Sequence, residues 1–188
     1  MRNKGITLIE LTIVVTIIGI LAVALGFEYI GWMGKYRVEK TTKDLFSDIM
    51  DVRSKALTRG RTYFVDFNTP APAAGEGCYR VIEDTNGDAT LNNGDTIIIP
   101  PPPTILPLTN QKTVKYVINW NGGGEIGIDR RGIIANIVGG VWMPITTAPF
   151  PTIQVVSTVA PDYDCIIVEA TRLSLGQWNT ATGVCDAK

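Results

Sequence analysis

Residues 6–27 read ITLIELTIVVTIIGILAVALGF, 22 positions that carry a single charge, Glu10. At about 1.5 Å per residue a helix of this length reaches roughly 33 Å, enough to cross a hydrocarbon core of about 30 Å. A lone carboxylate near one end of such a span is costly in lipid, so Glu10 calls for a partner. Arg2 and Lys4 stand before the run, and the excess of positive charge on that side places the N-terminal end in the cytoplasm. Everything after Phe27 then lies across the membrane, where disulfides are permitted. An ordinary secretory signal ending at Ala22-Val23-Ala24 is the competing reading. The apolar run is too long for one, and Glu10 interrupts it.

Outward from this stretch, residues 28–60 continue without proline, and from Val38 the apolar residues fall at helical spacing. Leu45, Ile49, Val52 and Ala56 form one stripe, with Phe46, Met50 and Leu57 beside it. Glu39 with Lys43 and Asp51 with Lys55 stand four apart with the acid first, the favourable order. The spacing predicts one helix from about Thr7 to Arg59, closed by Gly60. Its first half is apolar all round; its second half has one stripe that must lie on a sheet. Beyond Gly60 the chain turns to short β-branched or alternating runs: 62–67, 79–83, 96–99, 113–119, 124–129, 132–136, 152–157, 165–170 and 173–178. The fold class is therefore α+β, with a long N-terminal helix packed on antiparallel sheet and a β-rich domain over 61–188.

Composition narrows the chemistry. There is no histidine, which removes Ser-His-Asp, Cys-His and HExxH sites, and the three cysteines form no CxxC. The net charge is −1 and becomes −3 without Arg2 and Lys4, so no basic surface for nucleic acid is implied. No enzyme activity is expected.

The order Lys4-Gly5-Ile6-Thr7-Leu8-Ile9-Glu10 resembles the class III leader of type IV pilins and type II secretion pseudopilins. In that family a prepilin peptidase cuts after the glycine and methylates the new N-terminal residue, leaving a glutamate at the fifth mature position. The resemblance implies a cleaved leader over 1–5, cleavage between Gly5 and Ile6, methylation of Ile6, and Glu10 as the assembly glutamate. Ile6 stands where the family usually has phenylalanine, and Phe27 where major pilins usually carry a helix-kinking proline. The soluble half resembles the minor pseudopilin H and minor pilin T/U group (GspH/FimT-like) in four blocks. These are the helix end at 51–56 with the strand at 61–65, the acidic turn and apolar strand at 83–98, Ile128-Asp129-Arg130-Arg131-Gly132, and Thr171-Arg172-Leu173-Ser174-Leu175-Gly176 with a terminal cysteine. The resemblance implies a pilin-like fold and a structural subunit, with 6–27 as transmembrane and assembly helix and 28–60 as its amphipathic continuation. The implied partners are other pilin subunits, the prepilin peptidase, an inner-membrane assembly platform and, before assembly, the bilayer.

Four further features stand out. Asp84, Asn86, Asp88, Thr90, Asn92 and Asp95 stand at positions 1, 3, 5, 7, 9 and 12 of a loop, the ligand register of a calcium-binding EF-hand. The glycine required at position 6 is Ala89 and the twelfth residue is Asp95 rather than glutamate, so a hairpin connection without Ca2+ is the preferred reading. Arg172 lies where DNA-receptor members of the family carry Gly-Arg-x-Arg. Only one arginine of two is present, so DNA is not expected as a partner. Of three cysteine pairings, Cys165 with Cys185 is favoured. The two bracket the last strand pair and meet if 173–178 folds back antiparallel, leaving Cys78 buried and free. Trp32, just past the span, fits either an interfacial anchor or a helix-packing role.

Overall fold

In a computed structural model, residues 7–67, 74–101, 104–105 and 111–188 are described, except for the side chains of 24–28, 30, 104 and 105. Helix α1 runs Leu8–Arg59 as one piece, as the spacing predicts. Thr7 is its N-cap, and Gly60 closes it at φ 64° with its N–H on the Ala56 carbonyl, a left-handed geometry that costs glycine nothing. The predicted pairs Glu39–Lys43 and Asp51–Lys55 form at 3.5 Å and 2.7 Å.

Thirteen strands follow among the described residues: β1 Tyr63–Asp66, β2 Gly77–Glu83, β3 Thr96–Ile99, β4 Thr104–Ile105, β5 Lys112–Val114, β6 Ile118–Trp120, β7 Glu125–Ile128, β8 Ile134–Val138, β9 Val141–Pro144, β10 Thr152–Val155, β11 Cys165–Val168, β12 Leu173–Asn179 and β13 Val184–Ala187. They form two antiparallel sheets. One has the order β4-β3-β2-β1-β7-β8-β9, with β5 also on β2; the other has the order β13-β12-β11-β10-β6. The stretch read as one strand over 113–119 is two, β5 and β6, one in each sheet, because the chain crosses between sheets at 115–117. β4, β9 and β13 escape the sequence reading; each is short and lies at the end of its sheet, where a pairing partner rather than a local pattern defines a strand.

The buried stripe of α1 is held between the two sheets. Leu45, Ile49, Val52 and Ala56 meet Tyr63, Val65, Tyr79, Val81, Ile126 and Ile128 of the first sheet and Ile153, Ile166 and Val168 of the second. Met50 and Leu57, read as neighbours of the stripe, are exposed. The opposite face of the first sheet has a smaller core of Phe64, Ile82, Ile97 and Ile137, covered by Leu91 and Trp142. This second core explains the continuous run at β1: every residue of Tyr63–Asp66 is buried because both faces of the strand are covered.

Candidate functional site

At its start, α1 shows a detail that the sequence reading missed. Thr7 and Glu10 stand in Thr-x-x-Glu spacing and meet at the helix start: the Glu10 N–H donates to Thr7 Oγ1 at 3.4 Å, as an N-cap requires, and the Thr7 hydroxyl donates to Glu10 Oε2 at 3.4 Å. The carboxylate sits in the first turn, where the helix dipole favours negative charge. Glu10 therefore has an intrachain partner at the helix mouth. Gly5 and Ile6, the expected cleavage and methylation positions, lie outside the described residues, as does the Ile6 amine.

From Leu8 to Val23 the apolar side chains of α1 point in every direction, and nothing among the described residues covers them. Exposure ranges from 49% at Val14 to 81% at Leu8. The two hydroxyls within this run are turned inward onto the helix itself, Thr12 to the Ile9 carbonyl at 2.9 Å and Thr16 to the Thr12 carbonyl at 2.7 Å. Past Glu10 the surface is thus apolar even at its two threonines. No helix among the described residues is long and apolar enough to cross a membrane. The span read over 6–27 extends past them, since Ile6 and the side chains of 24–28 lie outside. Tyr29, Trp32 and Tyr36 continue the uncovered surface as a ladder of rings, with centroids 6.5 Å and 5.9 Å apart.

The outer half of α1 is fixed to the sheets by more than its stripe. Asp48 accepts from the Tyr79 hydroxyl of β2 and from Lys112 Nζ of β5, the latter at 2.6 Å, and Lys112 lies 5.4 Å from the centre of the Tyr79 ring. Burial and the adjacent Asp48 carboxylate push the Tyr79 hydroxyl well above its ordinary range, so it stays a donor. Nearer the C-terminal end, Arg53 Nε donates to the Gly132 carbonyl at 2.8 Å.

Cys165 and Cys185 are joined by a disulfide, with Cα atoms 6.1 Å apart, and Cys78 is buried and lies outside that bridge. The bridge spans two strand spacings, since β12 lies between β11 and β13. In a flat sheet the first and third strands would be roughly 10 Å apart, so the sheet folds over β12 here. Gly176 is the residue that permits it: it pairs with Cys165, and a Cβ there would lie 2.7 Å from Cys185 Sγ and 2.5 Å from the Asp186 carbonyl. The sequence reading had the pairing but not the glycine beneath it. Asp164, next to the bridge, accepts from the Trp178 N–H at 2.6 Å; burial still holds its carboxyl above the usual range.

The loop between β2 and β3 closes on its own side chains. Asp84 accepts from the Gly87 and Ala89 N–H groups at 2.6 Å and 2.9 Å, Asn86 Oδ1 from Asp88 N at 3.0 Å, and Asp88 Oδ1 from Thr90 N at 2.8 Å. Asp95 accepts from Asn92 N and Thr85 N at 3.0 Å and 3.3 Å. The Thr90 hydroxyl and N–H, with the Asn92 and Asn86 amides, hold the Asp88 carboxyl below its ordinary range, whereas burial raises that of Asp95. Ala89 takes φ 58°, the left-handed conformation that a glycine there would supply, and its carbonyl accepts from Trp142 Nε1 at 2.9 Å. Among the described residues no group of three or more His, Cys, Asp or Glu side chains is placed to hold a metal ion.

Arg172 belongs to the turn between β11 and β12 rather than to a strand, and it pairs with Glu169 at 3.1 Å. A cleft of about 790 Å3 opens beside the β2–β3 loop between Arg61, Asp129, Arg131 and Trp142. Two of its arginines are matched locally, Arg61 with Glu83 at 3.4 Å and Arg131 with Asp129 at 2.9 Å. Burial opposes ionisation of Asp129, but bonds from Ile133 and Arg131 outweigh it and keep the carboxyl low.

Residues 1–26 match the family described as the prokaryotic N-terminal methylation motif. The match takes in the basic leader, Gly5, Ile6, the Thr7–Glu10 cap and the whole of the uncovered apolar run at 8–23, and it stops short of the sheets. No curated protein and no solved structure matches the chain. The matched motif supports a type IV pilin-like protein, a substrate of a prepilin peptidase that assembles with other subunits of its kind.

Proposed function

We propose that this chain is a minor pilin or pseudopilin: a structural subunit, not an enzyme, that joins a type II secretion pseudopilus or type IV pilus at its tip. Before assembly it would hang in the inner membrane by residues 6–27, with its N-terminus in the cytoplasm and residues 61–188 in the periplasm. The observation that carries the reading is the uncovered apolar surface over 8–23, continuous with a helix whose outer half is fully built into a folded domain. Covering half a dozen of those side chains is worth on the order of 10 kcal/mol, so the run needs an apolar neighbour at all times. Moving from lipid into a bundle of like helices exchanges one such neighbour for another, and assembly then requires no chemistry. The prepilin peptidase and an inner-membrane platform are the partners that this exchange calls for.

Glu10 supplies register on this reading. The Thr7 cap holds its carboxylate at the helix mouth, four positions along the sequence from the amine that cleavage would create on Ile6, and it would pair with that amine or with that of the neighbouring subunit. A charge left alone in a packed apolar bundle costs several kcal/mol, so correct pairing acts as a docking check. The β2–β3 loop needs no cofactor, and Arg172, shared with Glu169, gives no support to DNA as a partner. Expression with a prepilin peptidase tests the reading. Mass spectrometry should find a chain that begins at Ile6 with one added methyl group, and Gly5→Ala should abolish the cut. Glu10→Ala should be cut and folded normally yet be missing from sheared filaments. A mature chain beginning after Ala24 would contradict the proposal.

A further inference from the structure

At the boundary between the bare apolar run and the folded domain, the surface of α1 is dressed on all sides. A helix turns about 100° per residue, which places Gly34, Lys35, the Tyr29–Trp32–Tyr36 ladder and Arg37 in four successive sectors. In the first sector the domain touches the helix: a Cβ on Gly34 would lie 3.4 Å from Val159 Cγ1. Val156, three residues before Val159 in the chain, is joined to Val117 by the bond from Val156 N to the Val117 carbonyl at 2.8 Å, and both are exposed. Opposite the domain, the rings of Tyr29, Trp32 and Tyr36 stack along the helix, each at least half exposed. Between these sectors stand Lys35 and Arg37, which are exposed and make no side-chain ion pair among the described residues, whereas Lys40 and Lys43 are matched to Asp44 and Glu39.

We infer that this ring of residues is a collar that seats the periplasmic domain on the headgroup layer of an anionic bilayer, with the aromatic ladder and the Val117–Val156–Val159 rim in the interface and Lys35 and Arg37 on lipid phosphates. The inference rests on the membrane-anchored reading above. Three features select lipid over a protein neighbour. The dressing encircles the helix, as a bilayer surface does and a single docked helix does not. In the sequence it follows the apolar run 6–27 after one residue, Glu28. From Tyr29 to Tyr36 it extends about 10 Å along the axis, covering a headgroup zone of roughly 5–7 Å on each side of the core. Rings with an apolar body and a polar tip favour that zone, and unmatched cations favour anionic lipid.

The full chain in vesicles of phosphatidylcholine and phosphatidylglycerol, with one lipid brominated, tests this through tryptophan quenching. The contribution of Trp32 is the difference between the native chain and Trp32→Phe. It should be quenched more by bromines near the carbonyl end of the acyl chain than by bromines near the middle of the bilayer. At equal mole fraction, brominated phosphatidylglycerol should quench more than brominated phosphatidylcholine, and Lys35→Gln with Arg37→Gln should abolish that excess. Val156→Trp, placed in the Trp32→Phe chain, should show the same shallow quenching. A chain that resists alkaline extraction from the vesicles but shows no quenching at either position overturns the collar alone and leaves the ladder to a neighbouring subunit. A chain released by alkali overturns the anchored reading and the collar together.

Discussion

Ile17 and Ile49 lie on one unbroken helix, yet Ile17 is 52% exposed and Ile49 is wholly buried. The difference is one of partners, not of helical geometry. Around Ile49 the apolar residues keep to one side and the other sides carry ion pairs, so two sheets of the same chain suffice to cover the stripe. Around Ile17 the apolar residues face all directions, and none of the described residues reaches round to them. A soluble monomer rarely leaves so large an apolar surface open. The comparison therefore separates what folding completes from what assembly must complete.

The largest expected effect follows from the same pair. Ile49→Ala should destabilise the folded domain by about 2–5 kcal/mol, the usual cost of emptying a core site, as read from chemical denaturation in detergent. Ile17→Ala should leave that transition where it is. Equal losses at both positions would mean that the inner half packs against the domain after all.

The second sheet offers a somewhat smaller test. Cys165→Ser with Cys185→Ser should cost about 2–4 kcal/mol, as expected for a native bridge in a small secreted domain. Gly176→Ala should lower the fraction of oxidised protein, because its methyl would stand where Cys185 Sγ passes. A fully oxidised Gly176→Ala protein of native stability would show that the sheet does not fold over β12 as described.

The loop at 84–95 gives the smallest effect. Asp84→Ala leaves the Gly87 and Ala89 N–H groups without their acceptor and should cost about 1–3 kcal/mol. The loss should be the same in calcium as in chelator. A melting temperature that rises with calcium in the native chain but not in Asp88→Asn would overturn the self-closed turn.

The long helix was legible from sequence because its signals are local: periodic spacing, acid-first pairs and a terminal glycine. The leader was legible because its residues are contiguous. What escaped depends on residues brought together by topology. Asp48, Tyr79 and Lys112 meet only when two strands and the helix are in place, and nothing near Gly176 announces a bridge passing over it. The reading of 113–119 as one strand failed because β-propensity does not report which sheet a residue joins. Ala89 shows the converse. The sequence pattern counts its missing glycine against a calcium loop, yet the backbone takes the left-handed conformation that glycine would supply, with surrounding hydrogen bonds and Trp142 to hold it.

The central claim is that the inner half of α1 trades lipid for other subunits, and a photo-crosslinking residue in place of Ile17 tests it most directly. In membranes before assembly the account predicts adducts with lipid, and in sheared filaments adducts with the helix of another pilin subunit, whereas the same probe at Ile49 should react only within its own chain. Adducts from position 17 to the chain's own sheets, in both preparations, would contradict it.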